Sequence, residues 1–84
     1  MKIYQYEGKC NSSGERVRIA REKAGITQNE LAARLQVAGV QLNQKAISRI
    51  ETGDRVVADF ELIHLAKALD VPLIWLLTGE ERKA

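Results

Sequence analysis

Apolar residues along this chain recur at three- and four-residue spacing, the period of helices with one buried face. Val17, Ala20 and Ala24 share one such face, and Leu31, Ala32 and Leu35 a second. Ile47 and Ile50 mark a third, and Phe60, Ile63, Ala66 and Leu69 a fourth. Leu73, Trp75, Leu76 and Leu77 crowd into a short fifth segment. The residues between these stripes carry start and stop signals. Ser12 with Glu15, and Thr27 with Glu30, have capping-box spacing and predict the first two helix starts. Gly25 ends the first helix near Lys23, and Gly39 offers a left-handed residue after a second helix that runs to about Val37. Asn43 reads as the N-cap of a third helix, Gln44 to Thr52, which Gly53 ends. Asp59 reads as the N-cap of a fourth, Phe60 to Leu69, and Pro72 as the first residue of the fifth.

The predicted architecture is all-α, with five short helices around one core. Residues 1–11 read as an N-terminal arm, 12–79 as the domain and 80–84 as a charged tail. In the arm, Ile3 alternates with Gln5 and Tyr4 with Tyr6, which permits a short strand. Repeats and low-complexity segments are absent from the sequence.

The third helix is two-sided. Ile47 and Ile50 anchor it, while Lys45, Ser48, Arg49 and Thr52, with Gln44 beside them, make the other face polar and rich in donors. A helix held by one stripe and offering Gln, Lys, Ser and Arg on the other suits the edges of bases in a DNA groove.

Composition narrows the picture. Eighty-four residues suffice for one small domain, and an apolar fraction of 45% argues against wholesale disorder. The net charge of +2 is unevenly spread: residues 1–26 carry +3, 27–35 balance, 36–58 carry +1 and 59–84 carry −2. A basic front and an acidic back would orient the domain toward a polyanion. The single Cys10 forbids an internal disulfide, and His64 has no Cys or His neighbour at metal-ligand spacing. No cofactor, metal or small-molecule ligand is expected. The chain shows no signal-peptide pattern and no apolar run near the ~20 residues of a membrane span, so a cytoplasmic protein is expected. It carries no Cys–His or Ser–His–Asp set and no phosphate-binding glycine loop, so an enzyme is not expected.

Four pieces of sequence resemble the Cro/cI-type helix-turn-helix domain, the lambda-repressor-like fold. They are Gly25-Ile26-Thr27-Gln28 with Glu30-Leu31-Ala32; Ile47-Ser48-Arg49-Ile50-Glu51 with Gly53; Leu65-Ala66-Lys67-Ala68-Leu69; and Trp75-Leu76-Leu77-Thr78-Gly79-Glu80. The resemblance spans about residues 12 to 81. It departs at one place: Gln36 to Ala46, eleven residues, separate Leu35 from Ile47, more than family members usually use.

The resemblance implies a DNA-binding transcriptional regulator, most simply a repressor that occupies an operator in double-stranded DNA. Gln44, Lys45 and Arg49 match base-reading positions, with Ser48 on the same face. Gln28 matches a phosphate-gripping position, and Asn29, Asn43, Thr52 and Arg55 are further candidates for the backbone. Arg21 and Glu51 match a structural ion pair. Lys9, Arg16 and Arg18 are candidates for phosphate contact or for solubility. Ile74 and Trp75 are candidates for core or dimer surface, so a homodimer stays open. Two alternatives remain: an antitoxin of the same fold, and a protein-interaction module such as an anti-repressor.

Overall fold

The computed structural model describes residues 5–80, so Ile3, Tyr4 and most of the charged tail lie outside the described residues. Five helices follow in chain order: α1 (Gly14–Lys23), α2 (Gln28–Val37), α3 (Gln44–Thr52), α4 (Asp59–Leu69) and α5 (Leu73–Thr78). Helix α3 packs against α1 and α2, while α4 packs against α1, α2 and α5. Val17, Leu31, Leu35, Ile47, Ile50, Leu65 and Leu76 are fully buried where these helices meet.

Local chemistry explains most of the boundaries. At α2, the Glu30 backbone N–H donates to Thr27 Oγ1 at 3.1 Å, and the Thr27 N–H donates to Glu30 Oε1 at 2.8 Å. These bonds hold the Glu30 carboxyl below its ordinary range, the Thr27 backbone N–H contributing most. At α3, Asn43 Oδ1 accepts from the Ala46 N–H at 2.8 Å, and Gly53 closes the helix at φ 85°.

Three expectations at helix ends are corrected. Ser12 and Glu15 do not cap α1: the N-cap is Ser13, without a side-chain bond, and Asn11 Oδ1 accepts from Ser13 N and Gly14 N. Asp59 is the first residue of α4 rather than its cap, because Glu61 reaches back to the Ala58 N–H at 3.0 Å. Pro72 is extended (φ −64°, ψ 137°) and precedes α5 by one residue.

The face of α4 is also corrected. Phe60 is 57% exposed and Ile63 42%, whereas Glu61, Leu65, Ala66 and Leu69 face inward. The buried Glu61 begins a 61-65-69 row, in which the burial of Leu65 and Leu69 sets the rotation and Glu61 is met by Arg55. Ala24, expected on the inner face of α1, lies exposed beyond its end.

The long connection between α2 and α3, residues 38–43, is anchored. Val40 and Leu42 enter the core, with Gln41 exposed between them. The Val40 N–H donates to the Leu35 carbonyl at 2.9 Å, which turns the chain back immediately after α2.

Residues 6–11 pack as well. Tyr6 and Lys9 pair across a two-residue turn, each backbone N–H donating to the other's carbonyl at 2.7 and 3.1 Å. This is one isolated bridge, and the described residues contain no strand. Asn11 Nδ2 then reaches the Ile50 and Arg55 carbonyls at 3.1 and 2.8 Å. The start of α1 lies so close to the end of α3 that a Cβ on Gly14 would overlap the Ile50 carbonyl oxygen, which makes glycine obligatory there.

Candidate nucleic-acid interface

Helix α3 presents Gln44, Lys45, Arg49 and Thr52 to solvent, with Ser48 half-buried between them. Its inner face is Ile47 and Ile50, both fully buried. The outer face is therefore rigidly mounted, because rotating it would expose both isoleucines.

The polar residues divide by how they are held. Lys45 is exposed near the N-terminal end of the helix. Arg49 extends one turn further, and its Nη2 donates to the Asp54 carbonyl at 3.2 Å. The Thr52 hydroxyl lies 2.8 Å from Asp54 Oδ2 and 3.2 Å from the Arg49 carbonyl, which ties it to the helix end. Asn43 spends its side-chain oxygen on the cap, which leaves its amide N–H groups facing solvent.

At the same end, Gln28 and Asn29 open α2. Asn29 is exposed, while Gln28 is half-buried and engaged on two sides. Gln28 Nε2 donates to Glu51 Oε1 at 3.0 Å, and Gln28 Oε1 accepts from Gln44 Nε2 at 2.6 Å. Beneath them, the Arg21 guanidinium grips Glu51 through Nε–Oε2 at 2.7 Å and Nη2–Oε1 at 3.1 Å. Arg21 Nη1 also donates to the Ile26 carbonyl at 3.0 Å. The Glu51 hydrogen bonds raise the Arg21 pKa and outweigh the opposing effect of burial. A shallow depression between the starts of α2 and α3 is lined by Thr27, Gln28, Asn29 and Gln44. Backbone N–H groups and the positive end of a helix make such a place favourable for an anion.

Arg55 is placed differently from the other cations. Its guanidinium meets Glu61 in two parallel bonds, at 2.9 and 3.2 Å, and Nη1 also donates to the Val56 carbonyl at 3.0 Å. Burial pushes the Glu61 carboxyl up, but the bonds from Arg55 and Ala58 and the Arg55 charge outweigh it. The net position is below the ordinary range.

Two residues, Asn11 and Arg16, do structural work that the sequence did not assign them; on the sequence alone, Arg16 is a candidate only for phosphate contact or solubility. Asn11 fastens the end of α3 as described, and its place just before Ser-Ser-Gly was a visible capping signal. Arg16 donates to the Leu76, Leu77 and Ser12 carbonyls at 2.8–2.9 Å and so clamps α5 onto α1. Nothing local marked the clamp, because the Leu76 and Leu77 carbonyls lie sixty and sixty-one residues away and only the Ser12 carbonyl is near in the chain.

Ile74 and Leu77 of α5 are partly exposed, and Trp75 is half-buried against a groove shared with Ile19, Lys23 and Pro72. Among the described residues, no helix is long and apolar enough to cross a membrane.

A helix-turn-helix family model matches residues 17–76 of the chain. Among solved structures, the chain is similar to the P22 c2 repressor protein in complex with synthetic operator 9T, solved in the presence of Tl+. The two match at 34% sequence identity and a TM-score of 0.69, over 81% of this chain and 96% of that one. No curated protein matches the chain.

Proposed function

Since the chain belongs to the helix-turn-helix family, in its Cro/cI-type branch, we propose that it is a sequence-specific regulator of transcription that binds double-stranded DNA. It would act as a repressor by occupying an operator. The observation that carries this reading is the outer face of α3. Gln44, Lys45, Ser48 and Arg49 lie along one exposed strip whose backbone is fixed by Ile47 and Ile50. The match to a repressor bound to its operator supports the same docking mode.

In this mode α3 enters the major groove with its N-terminal residues at the base edges. Lys45 and Arg49 suit the O6 and N7 acceptors of guanine, and Gln44 suits the N6 and N7 pair of adenine. Gln28 has one amide hydrogen beyond the one given to Glu51, and that hydrogen is available to a phosphate. Asn29 next to it, Asn43 before α3 and Thr52 at the far end of α3 are further candidates for the DNA backbone. Acidic or apolar residues on the α3 strip would have favoured a protein-interaction module, and it carries neither. One such strip reads a short half-site. We therefore read the working unit as two copies on successive major-groove faces about 34 Å apart, and the protein as a non-enzymatic one.

Selection from random duplex DNA tests this reading. An enriched site is expected, with affinity falling as salt rises by a log–log slope of about −0.9 for each phosphate neutralised. Arg49→Ala should relax preference at one base position within that site. Failure to enrich any sequence would overturn the reading.

A further inference from the structure

Four side chains from three helices form a hydrogen-bonded series with one permitted direction. It runs from Arg21 to Glu51, from Glu51 to Gln28, and from Gln28 to Gln44. We propose that Glu51, acting through Gln28, sets the orientation of the Gln44 carboxamide and so makes Gln44 a reader of adenine rather than guanine. The proposal rests on the DNA-binding reading given above.

The direction follows from what each group is able to do. A carboxylate paired with a guanidinium only accepts hydrogen bonds. Gln28 must therefore turn its Nε2 toward Glu51, where it lies 3.0 Å from Oε1. Its own Oε1 is then committed to the opposite side. That oxygen only accepts, so Gln44 must offer an N–H across the 2.6 Å gap. The Gln44 carboxamide is left with its oxygen and one N–H. This is an acceptor beside a donor, the complement of adenine N6–H and N7.

The reversed carboxamide would present two N–H groups, the complement of guanine O6 and N7. Reaching it requires Gln28 to turn over as well. With both turned over, Gln28 and Gln44 would still bond in the opposite sense, but the bond to Glu51 would be lost and Gln28 Oε1 would face the Glu51 carboxylate. The Glu51 side chain is only 3% exposed, so water does little to relieve that encounter. Glu51 and Gln28 are thus positioning residues: a choice made at the base edge is set from inside the domain.

The test uses the full chain and the duplex that wild type enriches from a random pool. Each position of that duplex is replaced by the other three base pairs, and binding is measured for each. Gln44→Ala identifies the position that Gln44 reads. There, wild type is expected to favour adenine over guanine by about tenfold or more, the scale of one bidentate contact.

In Glu51→Gln the new carboxamide is able to donate or to accept, so the direction is no longer imposed. In Gln28→Leu the Arg21–Glu51 pair survives while the connection to Gln44 is cut, which protects the test if Glu51→Gln fails to fold. Either folded variant should bring the adenine-to-guanine ratio to within about threefold, well short of a full bidentate preference. Ratios at other positions should hold. A folded variant that keeps the full ratio would overturn the inference while leaving Gln44 as a reader. An unchanged ratio in Gln44→Ala would overturn it by removing the reader. Failure to enrich any duplex would instead sink the DNA-binding reading itself.

Discussion

Two arginine–glutamate pairs lie at and just beyond the C-terminal end of α3, and they differ in almost every respect except composition. Arg21 and Glu51 join α1 to α3 across thirty residues, with side chains 13% and 3% exposed. Arg55 and Glu61 join the loop after α3 to the start of α4 across six residues, with side chains 31% and 10% exposed. Both are bidentate. The first is sealed beneath the polar strip and feeds the hydrogen bonds that reach Gln44. The second is a local staple between the loop after α3 and the first turn of α4. Burial and chain separation, rather than the identity of the pair, decide what each contributes. Breaking a buried pair leaves a charge without water or partner, whereas a wetter pair is replaced by solvent.

The largest expected effect is therefore at Glu51. Glu51→Ala leaves the Arg21 guanidinium without its carboxylate and removes the acceptor of Gln28. A loss of about 3 kcal/mol is expected, at the lower end for a broken buried pair because Arg21 retains some contact with water. In a domain of this size that lowers the melting temperature by more than about 10 °C. Glu61→Ala should cost about 1 kcal/mol or less, since its partner is a third exposed and screened. Thermal melts of the two variants under one buffer check the comparison, and equal losses would erase the distinction.

Salt sharpens it further. A double-mutant cycle at each pair, repeated from about 0.05 to 1 M salt, should show the Arg55–Glu61 coupling shrinking and the Arg21–Glu51 coupling nearly constant. Screening acts on charges that solvent reaches. The DNA-binding reading adds a consequence for Arg55. Engaged with Glu61, it contributes little to binding, so Arg55→Ala should change affinity by less than about threefold. Freed in Glu61→Ala, it becomes available to a phosphate and should steepen the salt slope by about 0.9. A large loss of affinity in Arg55→Ala would show that the pair opens on DNA.

What the sequence disclosed and what it hid follow from the range of the interactions. Thr27 with Glu30, Asn43 before α3 and Gly53 after it all act on backbone groups within three residues, so they were legible. The anchored connection also left a trace, because Val40 and Leu42 alternate with Gln41 and Asn43. The face of α4 was misjudged because the pattern weighed apolar residues alone, and one of the inward residues is Glu61. Asn11 and Arg16 hold carbonyls that only the folded chain brings near, and no local rule anticipates such acceptors. At the candidate interface, the outer strip of α3 was legible from its spacing. The contact between Gln28 and Gln44 was not, since it depends on the angle at which α2 meets α3.

The smallest effect is on acid stability, and its sign follows from Glu61. The folded carboxyl titrates below its ordinary range because the Arg55 and Ala58 bonds outweigh burial. The folded state then binds fewer protons than the unfolded one as pH falls. The stabilisation is fully present above the ordinary glutamate value near 4.5 and is lost as pH drops through the lower folded value. Glu61→Gln keeps the size of the side chain and removes the titration. Its denaturant midpoint should fall less steeply than that of wild type between about pH 5 and 3. Glu30 serves as the comparison, since its carboxyl is also lowered, chiefly by the Thr27 backbone N–H, but is fully exposed. Glu30→Gln should flatten the acid limb less than Glu61→Gln does. If the two variants flatten it equally, the Arg55–Glu61 pair adds nothing beyond a cap, and the contrast between the two pairs rests on Arg21 and Glu51 alone.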